Sequence, residues 1–470
     1  MNFLRKWWPL PAGVAVLSLI LWVALAGIKT PEAPAQTMPS TSAAPELSAA
    51  DRYSAAKAGL EKTENLMLEY TRRETRRIGT NLFSETVTGS AAFSDVGQAD
   101  MTAMVTEKLD FDAYACTYTE TFCEGKAYAV INGCRFQSDL TPKAFVGRQI
   151  PAVLLTESLY QTVEYEADED AIRILFAQPT ALESWAGEGT LISASGTAVL
   201  DRQGHLLQTS YRAEYQREGV QFQLDVTVRV TMPEELDLSA VHVGHELETV
   251  PVEDLDTLRW LVQVVADVFS AQNVSCEARE LIQSDAIPLT YHQTSSIVLF
   301  GLEETLDASM TYDASLTDRY GNVSRRQQTE RFADGRYTVT VDDGEPVEES
   351  MTALAMRQYC EDTILSGLFA VKYVKTAESR TEEGVRKITF GADDAFGGEL
   401  TQQLAGILQA DLETMAQSAE TVSAGGYLTV DMKTGLPVAM GIALERNHRI
   451  GDVDYRLVYL LDETLTFGEE

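Results

Sequence analysis

Three short constellations in this chain have the residue types to do chemistry. Ser54-Ala-Ala-Lys57 has the Ser-x-x-Lys spacing in which a lysine amine activates a serine hydroxyl, but no companion motif accompanies it. His242, His245 and Glu246 are spaced to meet a metal ion, yet no third neutral ligand lies nearby and a solvated linker is the expectation. Glu164, Glu166, Asp168, Glu169 and Asp170 lack the D-x-D-x-D-G order of a calcium loop and read as a turn between two strands. A Gly-rich phosphate loop, a Gly-x-Ser-x-Gly elbow, paired CxxC and HExxH are all missing from the sequence. With 71 acidic residues, a carboxylate pair for glycoside hydrolysis can be drawn anywhere and so signals nothing. The chain is expected to carry no catalytic, cofactor or metal site and not to be an enzyme.

What remains is apolar surface on helices. Leu258, Leu261, Val262, Val265, Val268 and Phe269 fall on one face at a 3.6-residue period, and Leu400, Leu404, Ile407, Leu408, Leu412 and Met415 do the same. A third helical stretch, about 348 to 369, carries Leu365 and Leu368. Such stripes pack a core or line a cavity for an acyl chain. The candidate ligand contacts are Leu258, Leu261, Val262, Val265, Phe269, Leu365, Leu368, Leu404 and Leu408. An earlier helix is expected over about 49 to 77, with Tyr53, Leu60, Met67 and Tyr70 on its face. Arg72, Arg73, Arg76 and Arg77 would then complement the dipole at its C-terminus.

Residues 10 to 28 are apolar and uncharged, preceded by Arg5, Lys6, Trp7 and Trp8. This predicts a membrane-crossing helix with its N-terminus in the cytoplasm, or a signal peptide cleaved near Ala24-Leu25-Ala26. The protein is thus expected at the cell membrane, single-pass with its folded part extracytoplasmic, or secreted if the segment is removed. Pro31, Pro34, Pro39 and Pro45 make residues 30–50 a semi-extended tether. A net charge of −34 argues against nucleic acid as a partner and against folded domains that adhere to anionic lipid. Among the five cysteines, Cys116 and Cys134 flank Gly125 symmetrically and are placed for a cross-strand disulfide, or are two small buried residues.

The exported part is written twice. Thr119-Glu-Thr-Phe-Cys-Glu-Gly-Lys126 is echoed by Thr329-Glu-Arg-Phe-Ala-Asp-Gly-Arg336, an offset of 210 residues. Gly196-Thr-Ala-Val-Leu-Asp201 is echoed by Gly426-Tyr-Leu-Thr-Val-Asp431 at an offset of 230, and a helix inserted in the second copy accounts for the change. Both Glu-Gly and Asp-Gly tips read as hairpin turns. Strand patterns surround them, and long strands close each copy. The order of helix, strands, helices and strands predicts an α+β fold of two tandem curved antiparallel β-sheets, each covered by helices. The divisions are 1–29 anchor or signal, 30–50 tether, 51–236 first copy, 237–255 acidic connector and 256–470 second copy.

This element order, with the late turn Asp431-Met-Lys-Thr-Gly-Leu-Pro437, resembles the LolA-like superfamily of exported bacterial lipoprotein carriers and lipid-binding half-barrels. The resemblance implies incomplete barrels with helices on the inner face and a lipid or apolar ligand, and it carries over no ligand residue. A tethered protein can hand cargo over locally, sense it or act as a scaffold, but it does not shuttle freely. The expected function is non-enzymatic binding of a lipid-like ligand outside the cytoplasm. The alternative is an envelope module, structural or regulatory, that binds an unidentified protein through its surface.

Overall fold

The first copy opens with a short helix, α1 (Ala49–Leu60), whose N-cap Ser48 hydroxyl accepts from the Asp51 amide. The chain then runs into strand β1 (Asn65–Ile78), which corrects the expected helix to residue 77. Buried Leu66, Leu68 and Tyr70 alternate with more exposed neighbours, so a period of two wins over 3.6. Arg72 and Arg76 lie on one face of β1 and Arg73 and Arg77 on the other, so none complements a helix dipole. The computed structural model describes residues 47–470 except 112–114, 132–133, 158–159, 168–170, 180–189, 218, 244–246, 253–254, 286–288, 302–304, 368–373, 393, 409–418, 451–452 and 469–470. The apolar N-terminal segment and nearly all of the tether lie outside the described residues. Among those described, no helix is long and apolar enough to cross a membrane.

Further strands follow: β2 (Asn81–Ser94), β3 (Thr102–Asp110), β4 (Ala115–Cys123), β5 (Lys126–Ile131) and β6 (Cys134–Asp139). After helix α2 (Pro142–Val153) come β7 (Tyr160–Ala167), β8 (Ile172–Pro179), β9 (Thr190–Leu200), β10 (Leu206–Arg217) and β11 (Val220–Thr231). In the sheet they stand β7-β8-β9-β10-β11-β1-β2-β3-β4-β5-β6. The chain thus fills the sheet from its centre to one edge, crosses with α2 to the opposite edge, and returns to the centre. The connector adds a parallel strand, β12 (Thr249–Pro251), to the β6 edge.

The second copy repeats this plan strand for strand. After α3 (Asp256–Ser270) come β13 (Asn273–Ser284), β14 (Leu289–Phe300), β15 (Asp307–Thr317), β16 (Val323–Ala333), β17 (Arg336–Val341) and β18 (Val347–Glu349). Helix α4 (Ala353–Ile364) leads to β19 (Val374–Glu382), β20 (Val385–Ala392), helix α5 (Asp394–Leu408), β21 (Ala419–Asp431), β22 (Pro437–Ile450) and β23 (Val453–Phe467). The sheet order is β19-β20-β21-β22-β23-β13-β14-β15-β16-β17-β18. Gly196 pairs with Phe176 as Gly426 pairs with Phe390, so both sequence echoes are structural equivalents. Helix α5, between β20 and β21, is the insertion that shifts the offset. The described chain is mostly strand, with two large open antiparallel sheets and five α-helices.

In both hairpin tips two successive residues take positive φ: Glu124 and Gly125 in one copy, Asp334 and Gly335 in the other. That pair of conformations matches the twist of the flanking strands, and glycine supplies one of them without strain. Of the two alternatives for Cys116 and Cys134 the bridge is not formed, and Cys116 is a free, half-buried thiol. β5 ends at Ile131 and Cys134 opens the next strand opposite it, so the two cysteines never face each other.

Candidate binding face

Helices lie on the same face of the first sheet. Tyr53 of α1 meets Phe176 edge-on at 5.3 Å and donates to the Leu155 carbonyl at 2.8 Å. Phe145 of α2 packs on Phe122 at 5.1 Å and on Phe93 at 6.4 Å between ring centroids. All of these rings are buried, and each contributes about 1.5–3 kcal/mol relative to exposure. Gly196 is bare because a side chain there would collide with Leu155.

The duplicated Thr-Glu-x-Phe has a second meaning besides its turn. Glu120 and Glu330 are 0% and 2% exposed, and both point under the helix side of their sheets with Phe122 and Phe332. Glu120 accepts from Arg148 and Gln149 of α2, each at 2.6 Å, and from Tyr118. Glu330 accepts from Tyr337 and Gln328 at 2.7 Å and from Tyr359 of α4 at 3.3 Å. Burial, then the neighbouring Glu330 carboxylate, pushes the Tyr337 hydroxyl pKa up. Each glutamate therefore ties the covering helix to the sheet. The signal was present in the identical, inward-spaced Glu and Phe of the echo.

A second polar set joins the copies. Arg76 of β1 contacts Asp267 of α3 at 2.5 Å, with side-chain exposures of 11% and 2%, and donates to the Thr434 carbonyl at 2.7 Å. Asn81 accepts from the Gln272 and Asn273 amides and donates to the Asn273 carbonyl. Arg217 reaches the Lys433 carbonyl at 2.6 Å. The Asp431–Pro437 turn is thus docked on the first copy. Burial pushes the Asp267 carboxyl up to about 6 against the opposing pull of Arg76. Beside the pair is a cavity of about 10 Å³ lined by Glu74, Glu85, Gln263 and Ser270, room for about one water.

Of the sequence-predicted contacts, Val262 is buried, while Val265, Phe269 and Leu365 are half-buried. Leu258 and Leu261 lie on α3 and Leu404 and Leu408 on α5, with side chains outside the described part; Leu368 is outside it altogether. Helix α3 also buries Val264, Ala266 and Asp267, off the expected face, because it contacts the first sheet as well as its own copy. Arg357 of α4 pins the two helices together, donating to the Phe269 and Ala271 carbonyls and pairing with Glu361 at 2.7 Å. On the opposite face of the second sheet, Val298 and Phe300 are 44% and 57% exposed and line an open trough of about 380 Å³ with Asp307, Ser309 and Arg331.

The motifs first considered for chemistry are dispersed. Lys57 pairs with Glu157 at 2.5 Å and Ser54 is exposed on α1. His242 closes a 3-10 turn, Ser239–His242, while His245 and Glu246 lie outside the described residues. Glu164 and Glu166 sit on β7.

No family model matches the chain, and no curated protein matches it. Among solved structures, LprF from Mycobacterium bovis is 12% identical, with 40% of this chain and 96% of LprF covered and a TM-score of 0.23. A DUF1329 family protein from Desulfovibrio piger is 11% identical, with 42% and 97% covered and a TM-score of 0.17. A putative AttH from Nitrosomonas europaea is 6% identical, with 86% and 92% covered and a TM-score of 0.15. Likeness at these scores is weak and carries no argument, so the functional reading rests on the chain's own geometry.

Proposed function

We propose that this chain is a non-enzymatic binding protein, held by its N-terminal segment on the extracytoplasmic side of a membrane, whose two open half-barrels take a lipid-like or otherwise apolar ligand. The observation that carries the reading is incomplete burial on the helices that cover the second sheet. Val265, Phe269 and Leu365 remain half-buried and leave apolar surface for a ligand to cover. An acyl chain laid there would gain about 0.8 kcal/mol for each CH₂ taken from water. The non-enzymatic part is supported by the use made of the buried ionisable groups. Glu120, Glu330 and Asp267 each fasten a helix, and Glu361 pairs within its own helix with Arg357, which does the same.

The test is native mass spectrometry of the full chain purified from an export-competent host, before and after organic extraction. Stoichiometric adducts that vanish on extraction, and that fall in Val265→Trp and Leu365→Trp variants, are the expected result. A bare mass from several hosts, together with no uptake of a fluorescent fatty acid at micromolar concentration, would overturn the reading.

The trough around Val298 and Phe300 favours a second reading, a surface that binds another envelope protein. In that case Phe300→Ser would abolish capture of a partner while leaving any lipid adduct unchanged.

A further inference from the structure

The connector between the copies does more than span them. Its strand β12 adds in parallel to β6, the last strand of the first sheet, pairing Thr249, Val250 and Pro251 with Arg135, Phe136 and Gln137. The Val252 amide donates to the Gln137 carbonyl at 2.8 Å, and Val252 also bridges to Ala377 of β19, the first edge of the second sheet. One short extended segment therefore covers the open edge of the first copy. Beneath it, Phe136 is 0% exposed and Val250 beside it 5%.

Among the described residues the second copy has the same edge with no strand on it. Following the paired registers outward from Phe122 and Phe332 makes Ala127 equivalent to Tyr337, and Phe136 of β6 equivalent to Val347 of β18. All three residues of β18 are exposed, and Val347 is 58% exposed where its counterpart is fully covered. Among the described residues no strand pairs with the outer side of β18. Unpaired edge amides and carbonyls are a template for an added strand.

The surroundings of this edge select the occupant. Asp342, Asp343, Glu345, Glu348 and Glu349 lie in or beside β18, and every residue from 341 to 350 is exposed. None of residues 341–350 is basic. The tether of another copy, the segment placed like the connector ahead of a first helix, offers no Lys or Arg between residues 30 and 48. Nor does the second copy keep the ion pair that joins the first copy to the helix following the connector. Arg76 is equivalent to Ser284, which cannot make the ion pair to a helix carboxylate.

We propose that the β18 edge is the docking site for an extended, cationic segment of a partner protein. The segment adds parallel to β18, sets an apolar side chain against Val347 and aligns flanking Lys or Arg with the acids. The inference is independent of the lipid reading and uses a different part of the second sheet.

The experiment uses the full chain in detergent and a synthetic peptide that carries the connector's Thr-Val-Pro-Val core between lysines. Titration calorimetry and hydrogen exchange are read together. The expected result is saturable binding at one peptide per chain, weakened by salt, with new amide protection confined to residues 345–350. Glu348→Lys/Glu349→Lys should lower the affinity at least tenfold, and Val347→Asp should do so independently. These exposed positions leave the fold intact, which unchanged exchange elsewhere would verify. Absence of protection at 345–350, or equal affinity for the charge-reversed variant, overturns the proposal. Self-association of the chain that Val347→Asp abolishes would also overturn it, by making a second copy the occupant.

Discussion

At equivalent positions on the two sheets, the first copy carries Arg72, Glu74, Arg76 and Glu85 where the second carries Glu280, Ile282, Ser284 and Tyr291. The frame around them is the same eleven strands in the same order. The difference follows from what each end must meet. The first copy's end receives helix α3 and the Asp431–Pro437 turn, where Arg76 is answered by Asp267 and the Thr434 carbonyl, while Arg72 pairs with Glu74 within the sheet. At the second copy's equivalent positions only one acid, the half-buried Glu280, remains, and Ile282, Ser284 and Tyr291 take the place of the other charges. A duplicated fold can thus keep its scaffold in both halves and confine asymmetry to the faces that join them.

The largest expected effect breaks that junction. Arg76→Met strands the Asp267 carboxylate in a buried site and should cost about 3–5 kcal/mol in urea unfolding. Arg76→Met combined with Asp267→Leu should recover most of the loss, because neither charge is then left alone. An equal cost in the single and double variants would show that packing, rather than the ion pair, holds the copies together. Ser284→Ala, at the equivalent buried position of the second copy, should cost far less, because it leaves no buried charge unpaired.

How far the sequence shows this depends on the range of the interaction. Helix α3 is legible because Val262, Val265 and Val268 repeat at helical spacing. The hairpin tips are legible because only a glycine-bearing turn joins strands so tightly. Strand β1 was hidden because its arginines alternate across a sheet that other segments supply. Asp267 is the clearest case. Within α3 it is one acid among apolar residues, and its role depends on Arg76, 191 residues away. The buried pair Glu120 and Glu330 lay in the repeat itself, but the eye is drawn to the turn glycines next to them.

The two buried glutamates sharpen the comparison at intermediate size. Glu120→Gln leaves the Arg148 guanidinium without its carboxylate and should cost about 2–3 kcal/mol. Glu330 takes neutral donors only, so Glu330→Gln should cost about 1 kcal/mol. Urea midpoints of the two variants measure the gap. The reverse order would mean that the helix of the second copy depends more on its tether than the first does.

Acid titration gives a smaller effect with a defined sign. Burial pushes Asp267 up to about 6 and Glu361 up to about 7, the latter despite Arg357. Both values exceed those of an unfolded chain, about 4. The native state therefore binds the extra protons, and the stability each group contributes is complete below about pH 4 and lost as pH rises through its folded value. Relative to Asp267→Asn, the wild type should lose stability mainly between pH 4 and 6; relative to Glu361→Gln, the loss should extend to about pH 7. Parallel stability profiles for wild type and variants would show that neither carboxyl is titrating in the junction or under α4.

The smallest effect concerns the thiols, which differ between copies in position but not in state. Cys276 and Cys360 are buried in the second copy, and Cys116 is half-buried in the first. Burial pushes the Cys116 and Cys360 thiols up to about 12, so thiolate is scarce at neutral pH in both. A thiol reagent at pH 7 should react slowly with the native chain, with Cys116 ahead of Cys276 and Cys360 because it alone of the three is partly open to solvent. On unfolding, all five cysteines in the sequence should titrate without prior reduction. A count of three would mean that an oxidising compartment draws two of these thiols together. For Cys116 and Cys134 to be that pair, β4 to β6 would have to leave the register in which Cys116 faces Leu109 and Cys134 faces Ile131.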